Sequence, residues 1–153
     1  MKNDEKRHDI EYFMDGIFIS PYDMRIGEYI FNVLMKLPDD ALNFFLEMNS
    51  LLQIIQPVAN SFYNLELSHY PDKAKITFIL LVSDLCNGPK EEIIYTIAHE
   101  FAHVYLKHPN MKEDVNTIEI EADKQVIAWG FENELKACNS YIYGKIKSKK
   151  ERR

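Results

Sequence analysis

The chain has 153 residues, 46% of them hydrophobic, with a formal net charge of −6 and a pI near 5.4. A chain of this size and apolar content forms one domain that buries a core without metal or disulfide staples, and its acidity makes nucleic acid an unlikely partner, because such affinity comes from neutralising phosphates. The two cysteines, Cys86 and Cys138, are too few for a disulfide framework and too far apart for a zinc knuckle, which points to a reducing, cytoplasmic setting.

Residues 1–15 read as a charged, flexible leader with no apolar segment behind them, and the longest apolar run, Phe78 to Val82, is far too short to span a membrane. Gly16 to Ser20 reads as a short strand or extended segment ending at Pro21. The spacing of Ile26, Ile30, Val33, Leu34 and Leu37 predicts a helix stopped by Pro38. A second helix starts at Asp39 or Asp40 and turns Leu42, Phe45, Leu46 and Met48 inward. Leu51 to Ile55 fits either a buried strand or the end of that helix. Lys75 to Val82, rich in β-branched and aromatic residues, is the best strand in the chain.

Asn87-Gly88-Pro89 then opens a helix predicted from Pro89 to about Lys107. Proline suits the first helical position, and Glu91 and Glu92 suit a first turn whose dipole favours anions. Pro109 ends it. A polar loop leads to a last helix from about Thr117, with a bend or break at Gly130. These elements predict an α+β fold in a single domain over 1–153: a small sheet backs the helix at 89–107, further helices surround it, and a flexible basic tail occupies 145–153.

The chemistry is concentrated in His99-Glu100-Phe101-Ala102-His103. Residues four apart lie one turn apart on one helix face, so the two imidazoles can grip one metal ion with the glutamate beside them. At 100° per residue Ile93, Ile94, Ile97, Phe101, Val104 and Tyr105 form a broad apolar face, and His99 and His103 lie opposite it. On the helix after Thr117, Ile120, Ala122, Val126, Ile127 and Trp129 form the apolar face, with Glu119 and Asp123 in its middle and Glu121, Lys124 and Gln125 turned to water. Two carboxylates on a core face demand cations or donors. That makes Glu119 the candidate third ligand; a capping box with Asn116 is the alternative. His108 is out of register for an extended HExxHxxGxxH site and reads as a helix-ending histidine.

The run from His99 to His108, followed by Glu119-Ile120-Glu121-Ala122-Asp123, resembles the gluzincin metallopeptidases, whose motifs are HExxH and ExxAD. It is most similar to the HtpX-like group and its small single-domain bacterial relatives, with ImmA/IrrE-like peptidases a near second. The resemblance spans roughly residues 74–131, including the ending Ala128-Trp129-Gly130-Phe131. It implies that His99, His103 and Glu119 bind Zn2+, that Glu100 is the catalytic general base, and that Asp123 supports a liganding histidine. Two departures are the absence of the transmembrane helices of HtpX-like enzymes and a short gap from His103 to Glu119.

The implied activity is hydrolysis of a peptide or protein substrate. The donor for the developing oxyanion is open among His69, Tyr70, Tyr141 and Tyr143. The strand at 76–82 offers an edge along which an extended peptide would lie, or it is buried inside the sheet. Two rival readings are a regulatory zinc protein of little activity, against which Glu100 argues because no structural zinc site needs it, and a nucleic-acid contact through the tail, Lys145 to Arg153.

Overall fold

The computed structural model describes residues 2–16, 19–20, 25–48, 52–55, 61–66, 75–81, 85–108 and 114–138. Its helices are α1 (Asn3–Gly16), α2 (Arg25–Lys36), α3 (Asp39–Met48), α4 (Lys90–Tyr105), α5 (Val115–Ala128) and α6 (132–138). Four short strands, β1 (Ile19–Ser20), β2 (Leu52–Ile55), β3 (Ser61–Glu66) and β4 (Lys75–Leu80), pair in the order β1-β2-β4-β3. β2 runs parallel to β1 and β4, and β3 is antiparallel to β4.

The expected α+β class is corrected: the described residues are mostly helical, with six α-helices among them. Among the described side chains, the strands give the core only Ile54 and Ile79, while every helix contributes to it. The physical reason lies in the apolar stripes. α2 buries Ile26, Ile30, Val33 and Leu34 on one face, and α3 buries Ala41, Leu42 and Phe45. Strands of two to six residues supply too little apolar surface to match this. The sheet is therefore not the layer that holds the histidine helix; α4 packs chiefly against α5 and α2.

The expected flexible leader at 1–15 is also corrected: residues 3–16 are helical. They form α1, and Ile10 and Phe13 are buried against the core. Lys6 supports the docking by donating from Nζ to the Leu37 carbonyl oxygen at 2.6 Å. The basic tail at 145–153 lies outside the described residues. None of the described helices is long and apolar enough to cross a membrane.

Aromatic rings lock α3 to α4. Phe45 lies 4.9 Å from Phe101 between ring centroids, and Phe44 meets Tyr105 edge-on at 5.1 Å. Tyr105 in turn meets Trp129, just past α5, at 5.4 Å. Such pairs each add about 0.5–1.5 kcal/mol beyond area burial, and here they fix the side of α4 that faces away from its histidines.

Candidate metal centre

α4 begins at Lys90 after Pro89 and ends at Tyr105, about two residues earlier than the sequence suggests. Asp114, not Asn116, caps α5: its side chain accepts from the Asn116 backbone N–H at 3.1 Å. The capping-box alternative for Glu119 is thereby removed, because a different residue satisfies the helix start. α5 lies along α4, and fully buried alanines, Ala98 and Ala102 on α4 and Ala122 on α5, leave room for the two to approach closely.

That approach brings the expected ligands together. One ligand atom from each of His99, His103 and Glu119 falls within 4.8 Å of the other two. Nε2 of His99 lies 3.0 Å from Nε2 of His103 and 3.0 Å from Glu119 Oε2, while His103 Nε2 lies 3.5 Å from Glu119 Oε1. Tetrahedral zinc with bonds near 2.0–2.1 Å would hold its ligand atoms about 3.3 Å apart. Three acceptor atoms at this spacing suit a cation, because in their neutral or anionic forms they otherwise repel one another. The group is thus able to hold a metal ion.

Asp123, one turn beyond Glu119, places Oδ1 3.0 Å from His99 Nδ1, the nitrogen remote from the ligand cluster. Tyr95, one turn before His99, donates its hydroxyl to the same oxygen at 2.6 Å. Tyr95 belongs to neither of the two sequence motifs. Its position at i−4 from His99 was the available signal, hidden because tyrosine is usually just an amphipathic core-edge residue. Burial and the bond to Asp123 raise its pKa far above the ordinary range, so the hydroxyl remains a donor.

The expectation that the histidine stripe lies off the core face is corrected at His103, while His99 is half-buried. His103 is 2% exposed and Glu100 8%, because α5 covers that side of α4. Burial first, then the neighbouring His99 and His108, lowers the His103 pKa to about 3. The ring is therefore neutral near pH 7, and protons compete little for its ligand nitrogen. Glu100 is shifted the other way, to about 7, by burial and then by the negative charge of Glu119.

The face of α5 is also rotated from its sequence reading. Ala122 and Val126 are its buried centre, whereas Ile120 and Ile127 are 55% and 43% exposed. Rotation away from those isoleucines carries Glu121 toward α4, where its Oε2 lies 3.3 Å from His108 Nε2. His108, expected at the end of that helix, lies three residues past Tyr105 and is buried. The four oxyanion candidates, His69, Tyr70, Tyr141 and Tyr143, lie outside the described residues.

Comparison with protein-family models, curated proteins and solved structures gives no match. The functional reading therefore stands on the residues of the site.

Proposed function

We propose that the protein is a zinc-dependent metallopeptidase whose site is His99, His103 and Glu119, with Glu100 as general base. The observation that carries this reading is the convergence of two histidine Nε2 atoms and a glutamate carboxylate from a second helix on one point, with Glu100 next to the first ligand on the same helix. The motif resemblance to gluzincins agrees with it. Bound zinc supplies a Lewis acid and lowers the pKa of its water to about 7.

The chain's own groups do the rest. Glu100 takes the proton of the attacking water as oxygen adds to the scissile carbonyl carbon, and passes it to the amide nitrogen as the C–N bond breaks. Burial makes Glu100 a stronger base than an ordinary carboxylate. Asp123 and Tyr95 would hold His99 in the tautomer that leaves Nε2 free to bind zinc. Peptide or protein is the substrate class, and the cytoplasm is the setting that fits two buried cysteines outside any disulfide.

The test is cleavage of a degenerate peptide library by protein with one equivalent of zinc, with and without chelator. Chelator-sensitive cleavage supports the reading. Stoichiometric zinc with no cleavage would favour a metal-binding regulatory protein instead.

A further inference from the structure

The chain reverses immediately after α4, and the reversal delivers a third imidazole to the site from behind. Leu106 closes the helix by donating its N–H to the Ala102 carbonyl oxygen at 2.9 Å, and Lys107 adopts φ 60, a left-handed conformation disfavoured for any residue but glycine. His108 is thereby folded back against His103. The two Nδ1 atoms lie 2.8 Å apart, and the rings meet edge-on with centroids 4.9 Å apart. The His108 side chain is 0% exposed, and its other nitrogen faces Glu121 Oε2 at 3.3 Å.

Two ring nitrogens at 2.8 Å need one proton between them. If His103 presents the Nε2 lone pair to a metal, its proton sits on Nδ1 and is donated to the Nδ1 lone pair of His108. The proton of His108 then sits on Nε2 and is donated to the Glu121 carboxylate. Each proton has one place and each acceptor one donor. His108 is not a further ligand, since it faces the nitrogen of His103 remote from His99 and Glu119.

We propose that His108 and Glu121 are a positioning pair for His103, fixing its tautomer and ring orientation as Asp123 and Tyr95 do for His99. The inference rests on the metal-site reading above. α5 would then act twice: Glu119 as ligand, and Asp123 and Glu121 as the carboxylates behind the two liganding histidines. Glu121 has this part because it follows Glu119 by two residues and so leans to the opposite flank of α5 from Asp123.

The experiment is zinc competition against a chromophoric chelator, using the full chain and the variants His108→Leu, His108→Gln and Glu121→Ala. Long-range ¹H–¹⁵N imidazole spectra of the zinc-loaded parent accompany it. His108→Leu should weaken zinc by about 10–100-fold, the range for lost partners of a liganding histidine. His108→Gln, whose amide oxygen can still accept from His103, should recover most of that affinity. Glu121→Ala alters a half-exposed side chain, so the fold survives and zinc weakens several-fold. The spectra should show His108 protonated on Nε2.

Parental affinity in His108→Leu overturns the proposal, as does an equal loss in the Leu and Gln variants, which would mark a volume effect. Should His108→Leu fail to fold, His108 protonated on Nδ1, or unchanged affinity in Glu121→Ala, overturns it. A parent that binds no zinc overturns the metal site and this pair together. Zinc held equally by parent and variants overturns the pair alone.

Discussion

Asp123 on α5 and His99 on α4 are joined across the helix seam by a 3.0 Å contact between Oδ1 and Nδ1. The carboxylate meets the one ring nitrogen that the ligand cluster does not use. Asp123→Asn removes the charge and offers an amide that can present the wrong group to Nδ1. Zinc affinity should fall about 10–100-fold, read by chelator competition. Tyr95→Phe removes only the 2.6 Å donor to that carboxylate and should weaken zinc less than Asp123→Asn. The reverse order would show that the tyrosine, not the aspartate, orients the ring.

Glu100 is predicted to fail in a different way. Glu100→Gln keeps the shape of the side chain and removes no ligand, so zinc content should match the parent while peptide hydrolysis falls about 10²–10⁴-fold, as for loss of a general base. Metal analysis alongside initial rates makes the separation. Turnover at the parental rate would reject the mechanism even with zinc in place.

The same residue gives the metal-free protein a pH signature. Its folded pKa of about 7 stands above the ordinary glutamate value of 4.5, so the native state holds the proton more tightly than the unfolded chain. Stability from Glu100 is present below about 4.5 and is lost as pH rises through about 7. His103 acts in the opposite sense: its pKa is lowered to about 3, so its contribution is present above the ordinary histidine range and is lost as pH falls. Comparison with Glu100→Gln isolates the first term. The variant should match the parent at pH 4 and exceed it at pH 8 by up to about 3 kcal/mol, by urea unfolding in chelator. A gap that is constant with pH would contradict the assignment.

Gly130 ends α5 with φ 89, and its N–H donates to the Ile127 carbonyl oxygen at 2.9 Å. A Cβ built there meets nothing within 4 Å, so alanine would suffer only from the backbone. Gly130→Ala should cost about 1–2 kcal/mol, seen as a lower urea midpoint with an unchanged slope. Zinc affinity should hold, because Glu119 and Asp123 lie two to three turns earlier on α5.

The sequence by itself determined most of the local elements and picked out the three residues, His99, His103 and Glu119, that come together. α2, α3, α4 and α5 are legible because apolar spacing and proline stops act within a few residues, and the i, i+4 histidines share a face whatever surrounds them. β2 was one of two open readings, and β3 was missed because Ser61 to Glu66 carries only weak apolar alternation. Only the tertiary structure decided how those faces are used. The docking of α5 on α4 buries His103, exposes Ile120 and Ile127, and brings the half-exposed Glu121 to His108, none of which a single helix specifies. The left-handed turn at Lys107 brings His108 to His103, and a backbone reversal of that kind at a lysine leaves no mark in residue spacing. The dominance of helices over sheet was likewise decided by packing, since the short strands add little apolar surface to a core that the helices already fill.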